Sequence, residues 1–169
     1  MLCNLIFPMF PLMRRPHRHL RRMDVLLEDH PLHLITTCTF RRKPVLAAPD
    51  VSSILIDEWR SAPARHGWNI ARYVIMPDHV HFFCAARQEA SSLEKFIGRW
   101  KEWTSKRLIR ELGFARGVWQ AEFHDHLIRS DESCAEKWDY VYRNPVRAGL
   151  VTEPESWPYS GEIIADRGL

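Results

Sequence analysis

Two apolar runs joined by a two-residue turn constrain this chain more than any other feature of it. Trp68–Met76 ("WNIARYVIM") and His79–Ala86 ("HVHFFCAA") are rich in β-branched and aromatic residues, and Pro77-Asp78 between them has turn chemistry. The pair predicts an antiparallel hairpin, so the domain must be organised around a sheet. Upstream, "LHLITTCTF" (Leu32–Phe40) alternates and reads as another strand, followed by a basic loop, Arg41-Arg42-Lys43. Residues 50–67 read as a helix that starts at Asp50 as N-cap, shows Ile54, Leu55 and Trp59 on one face, and ends at Gly67. A second helix over 91–113 opens with the capping-box pattern Ser91-x-x-Glu94 and stops at Gly113. "HDHLIR" reads as a fourth strand, and residues 130–144 as a third helix closed by Pro145. The order β-α-β-β-α-β-α predicts an α+β, ferredoxin-like antiparallel sheet with helices on one face.

A length of 169 residues suits one domain with short extensions. Residues 1–28 differ from the rest: an apolar start broken by Pro8 and Pro11, then a basic cluster, the reverse of the order in a secretory signal. We expect a disordered extension or a misplaced start over 1–28, and a single domain over 29–169. The cysteines at 3, 38, 84 and 134 lie far apart without a C-x-x-C pair, and no run of about 18 apolar residues exists. The expectation is a reduced, cytoplasmic protein with no membrane partner. The formal net charge of +3 hides an asymmetry, because five arginines and no acid lie within residues 1–23. The remaining 146 residues carry 19 basic against 21 acidic side chains, so nucleic-acid binding has to be argued from where charges cluster.

Within the hairpin, His79 and His81 share a strand face and Val80 points to the other layer. Two imidazoles so placed can bind one divalent metal, although structural histidines have the same spacing and the chain repeats it at His17/His19 and His124/His126. On the third helix Cys134, Trp138 and Val141 form an apolar stripe, with Tyr142 near it. Glu136, Tyr140 and Asn144 follow one another on the far side, so Tyr140 is the exposed tyrosine of the two. On the second helix Lys95, Arg99, Lys106 and Arg110 make a basic stripe, either solvated surface or a grip for a phosphate backbone. Arg41, Arg42 and Lys43 offer a second cationic surface.

Four blocks, "MPDHVHFF", "VWQAEFHDHLIR", "DYVYRNPVRAGLV" and "WPYS", occur in an order that resembles the REP-associated tyrosine transposases, members of the HUH-type single-tyrosine transposase family. The resemblance covers roughly residues 32–160. It implies that His79 and His81 hold Mg2+ or Mn2+, that Tyr140 is the nucleophile, and that Asn144 stands where relatives place a glutamine ligand. It further implies cleavage and rejoining of single-stranded DNA hairpins through a covalent 5′-phosphotyrosine, by a monomer or a homodimer. Two other readings stay open: a hairpin-binding protein derived from a transposase that no longer cuts, and a zinc hydrolase built on His79, His81, His124 and His126.

Overall fold

A computed structural model describes residues 31–128 and 134–163; residues 1–28, and with them the expected extension, lie outside this range. Strand β1 (Leu32–Cys38) leads through a one-turn 3-10 segment at Phe40–Arg42 into helix α1 (Pro49–His66). The expected hairpin follows as β2 (Trp68–Ile75) and β3 (His79–Ala86), then helix α2 (Leu93–Leu112) and strand β4 (His124–Ile128). Helix α3 (Cys134–Tyr142), the short helix α4 (Asn144–Arg147) and strand β5 (Ser160–Glu162) complete the described chain. All strand pairs are antiparallel, in the order β4-β1-β3-β2-β5.

The alternation along β3 decides what each face of the sheet carries. Val80, Phe82 and Cys84 enter a core shared with α1 and α2, where Trp59 stacks on Trp100 at 5.2 Å and lies 5.0 Å from the Phe82 ring. Trp68 stacks on Phe96 in the same layer. Much of the tryptophan content therefore builds this core, and Val80 is fully buried in it. Phe83 and Ala85 enter a second core on the other face, with Leu32, Val74, Ile128 and the α3 residues Cys134 and Val141. The α+β layout stands, with α1 and α2 on one face as expected. Helix α3 departs from the one-face arrangement and packs on the opposite side.

Local chemistry at the helix ends differs from the sequence reading in three places. Ala48, not Asp50, is the N-cap of α1: Pro49 takes the first helical position, where its missing N–H costs nothing, and Asp50 sits in the first turn. Ser92, not Ser91, caps α2 by accepting the Lys95 N–H, while Ser91 bonds the His66 carbonyl through both its N–H and its hydroxyl. Pro145 opens α4 instead of simply closing α3. Gly67 is required where it stands, since φ is 76° and a Cβ would meet the Ala90 Cα at 2.7 Å.

The hairpin turn is tied down from outside. The Met76 N–H donates to the His79 carbonyl, the Asp78 carbonyl accepts from both the Thr39 N–H and the Thr39 hydroxyl, and the Pro77 carbonyl accepts from the Leu46 N–H. These bonds bring the segment after β1, with its arginines, against the start of β3.

Candidate active site

His79 and His81 lie side by side, their ring centroids 4.8 Å apart and their planes perpendicular. The His79 Nδ1 meets the Asp78 carboxylate at 2.7 Å. A carboxylate only accepts, so this nitrogen carries the proton and the lone pair is left on Nε2. The His81 Nδ1 meets the Thr36 hydroxyl, also at 2.7 Å, across the β1–β3 register pair. Burial lowers the pKa of both rings. For His79 the hydrogen bond to Asp78 works against that shift without reversing it. For His81 burial, then the proximity of His79, Arg147 and Arg42, takes the value to about 3. In the tautomer in which His81 Nδ1–H donates to the Thr36 hydroxyl, both neutral imidazoles offer Nε2 lone pairs, a donor chemistry that fits a divalent cation.

Arg42 ties the basic loop to this pair, its Nε 2.8 Å from the second oxygen of the Asp78 carboxylate. Arg41 and Arg42 both hold left-handed backbone, with φ of 56° and 54°. That conformation is costly for side-chain-bearing residues and turns the loop sharply beside the histidines. Arg41, Arg42 and Lys43 are all exposed.

The same face of β3 seats the tyrosine helix. Two residues beyond His81, Phe83 meets Trp138 of α3 edge-on at 6.0 Å. Trp138 is also held by the Arg72 guanidinium, 5.1 Å from its ring, and by Tyr142 stacked at 5.2 Å. Arg72 is itself nearly inaccessible and pairs with Glu162 of β5. With Trp138, Val141 and Tyr142 turned to the sheet, Tyr140 turns outward and is 63% exposed, as the helical periodicity predicts. The Arg147 guanidinium lies over the Tyr140 ring at 3.9 Å, and an Arg147 N–H donates to the Asn144 side-chain oxygen.

The structure thus brings His79, His81 and the Arg41–Lys43 loop together and docks α3, the helix of Tyr140, on the histidine face, while Asn144 opens the next helix, α4. It sets Lys95, Arg99, Lys106 and Arg110 apart, on the solvent side of α2 with the sheet between. Three of those four cations are already paired: Arg99 and Lys106 with Glu102, and Arg110 with Glu111. The four-histidine zinc arrangement does not form. Strand β1 runs between β3 and β4, so Thr36 stands in register between His81 and His124, and Leu34 between Phe83 and His126. Among the described residues no cluster of three or more His, Cys, Asp or Glu side chains is arranged to hold a metal. The Asn144 oxygen, the amide that the resemblance puts forward as a third donor, faces Arg147.

Sequence reasoning missed Asp78, Thr36 and Arg147. Asp78 reads as turn chemistry and Thr36 as an ordinary strand residue. Arg147 carried one available signal: it lies seven residues after Tyr140, two helical turns on, within a block already singled out.

Residues 27–133, more than half of the chain, match the family described as Transposase IS200 like. A protein of Haemophilus influenzae provisionally named a REP-associated tyrosine transposase is 31% identical over 118 residues, 62% of this chain and 67% of that one. The REP-associated tyrosine transposase of Escherichia coli is 30% identical over 93 residues, covering 55% of this chain and 53% of its own. The fold is similar to that of a REP-associated tyrosine transposase solved bound to a REP hairpin. That match has a TM-score of 0.64 at 22% identity and covers 77% of this chain and 75% of that one. A provisionally assigned transposase of Deinococcus radiodurans matches with a TM-score of 0.50 at 19% identity, over 66% of this chain and 88% of that one. By its sequence, its sheet and its place among these relatives, the chain belongs to the IS200-like transposase family, and its curated relatives are REP-associated tyrosine transposases.

Proposed function

We propose that this transposase cleaves and rejoins single-stranded DNA at hairpins through a covalent bond to Tyr140. One observation carries the reading: the face of β3 that presents two neutral histidines is the face on which the helix of Tyr140 is seated. The hairpin as substrate is supported by the solved relative of similar fold, whose bound DNA is a REP hairpin.

The chemistry proceeds by transesterification. The Tyr140 hydroxyl oxygen attacks phosphorus, the bond from phosphorus to the departing 3′ oxygen breaks, and that oxygen takes a proton. The products are a 5′-phosphotyrosine and a free 3′-hydroxyl, and a second 3′-hydroxyl reverses the step without an external energy source. His79 and His81, with Asn144 as the candidate third donor, would hold Mg2+ or Mn2+. When bound, such an ion supplies charge to a phosphate whose own charge repels nucleophiles. Asp78 and Thr36 orient the imidazoles, fixing their Nε2 atoms toward the substrate side. A neutral phenol is a weak nucleophile, so the Tyr140 hydroxyl gives up its proton as the attack develops. Arg41, Arg42 and Lys43 contact the DNA backbone beside the site, and Lys95, Arg99, Lys106 and Arg110 a more distant stretch of it. No helix among the described residues is long and apolar enough to cross a membrane, and we infer that the protein acts in the cytoplasm, on DNA.

Incubation of the protein and a Tyr140→Phe variant with labelled single-stranded hairpin DNA and manganese tests this reading. A denaturant-resistant protein–DNA adduct is expected with the unaltered protein and none with the variant. Hairpin binding without an adduct from the unaltered protein would instead favour a binding protein that no longer cuts.

A further inference from the structure

Arg147 is unlike the other cations near the tyrosine. Arg143, four residues earlier, is paired with Asp139 of α3, and Arg42 and Arg72 are paired with Asp78 and Glu162. Arg147 is exposed, and no carboxylate among the described residues forms an ion pair with it. Its guanidinium sits 3.9 Å from the Tyr140 ring centroid, tighter than the other cation–aromatic contacts, which lie between 4.8 and 5.8 Å. One N–H goes to the Asn144 oxygen. A guanidinium has five N–H donors in a rigid plane suited to phosphate oxygens, so most of its capacity is left over. One cation therefore adjoins both the tyrosine and the amide.

We propose that Arg147 receives the scissile phosphate, its guanidinium donating to a non-bridging oxygen while its plane stays stacked on the Tyr140 ring. The proposal rests on the reading of Tyr140 as nucleophile. No proton or electron changes hands at Arg147: the guanidinium stays protonated and acts through charge and hydrogen bonds at the phosphorus that Tyr140 attacks. In the protein without DNA, the amide of Asn144 takes one of the donors that the phosphate would otherwise engage.

The bland alternative is a brace: Arg147 bonding Asn144 to hold a one-turn helix. Binding measurements in a Tyr140→Phe background separate the two. The probe is a hairpin DNA carrying either the natural phosphate or a neutral methylphosphonate at the linkage mapped from the adduct. With Arg147 present, the methylphosphonate should weaken binding roughly ten- to a hundredfold, as expected for a lost hydrogen bond to a charged group. Arg147→Met should bind both DNAs alike, and Arg147→Lys, which keeps the charge but not the planar fork, should discriminate weakly. Thermal unfolding and binding of a hairpin truncated before the linkage report on the fold. Should the Met variant not fold, the Lys variant carries the same comparison. Discrimination by Arg147→Met or Arg147→Lys as strong as with Arg147 would overturn the proposal while leaving Tyr140 in place. Absence of any adduct from the unaltered protein would overturn both.

Discussion

At the residue scale, the two histidines of the hairpin are held as ligands would need to be held, and the second contacts are what hold them. Removing the Asp78 carboxylate should matter although Asp78 touches no substrate. Asp78→Asn replaces the charged, accept-only partner of His79 by an amide that can donate as well as accept, so the tautomer is no longer fixed, and it releases Arg42 from its ion pair. Manganese affinity, read by calorimetry, should fall roughly ten- to a hundredfold, the usual cost of losing such an orienting group. Protonation of His81 gives a second outcome. Its folded pKa of about 3 lies below the ordinary 6.5, so the unfolded chain binds the proton more readily. Stability from this residue is therefore present above about pH 6.5 and lost as pH falls toward 3. In metal-free protein, urea unfolding should show a loss from this residue of about 2 kcal/mol between about pH 7 and pH 5, much reduced in His81→Gln. An equal loss in both proteins would mean that burial does not hold this ring neutral.

At the scale of elements, the hairpin and the outward facing of Tyr140 were legible because periodicity reports directly on facing. Val80 is buried, its histidine neighbours are on the other face, and the stripe of Cys134 and Val141 is buried while Tyr140 is exposed. The sheet face on which α3 lands was not legible, because an amphipathic helix records that it has a partner and not which partner. Phe83, which receives Trp138, reads as one more apolar residue in a strand with apolar residues on both faces. Strand β5 escaped notice since three residues, Ser160, Gly161 and Glu162, carry no alternation to read. The cap of α2 was misplaced by one position because two adjacent serines compete and only tertiary structure gives Ser91 to His66. The docking through Trp138 makes a prediction at this scale. Trp138→Ala should loosen α3 alone: amide hydrogen exchange should rise across residues 134–142 and stay protected in β1 and β3. Adduct formation should drop about tenfold or more with Tyr140 itself intact, since a small misplacement of a reacting group is costly. Uniform loss of protection would instead make Trp138 part of the global core.

At the scale of the whole molecule, a single sheet separates two cationic surfaces that the chain could not rank. The local excess of charge on α2 looked the stronger, yet Glu102 and Glu111 are paired with three members of its stripe. Lys101 is buried, donating to the carbonyls of Gln120, Ala121 and Glu122. The Arg41–Lys43 loop has fewer charges but lies beside the histidines. Neutralising Arg41 and Lys43 to Gln should reduce the salt dependence of hairpin binding by about one to two units of log–log slope. The fourfold Gln variant of the α2 stripe should change that slope less than its number of charges suggests. The reverse ranking would move the DNA path to the helical face.

On the proposed function, Tyr140, turned outward from the sheet, becomes covalently joined to DNA. Peptide mapping by mass spectrometry of the protein–DNA adduct tests it most directly. A 5′-phosphate link is expected on Tyr140 and on neither Tyr142 nor any other nucleophile. A link on any other residue, or an adduct that persists in Tyr140→Phe, would contradict it.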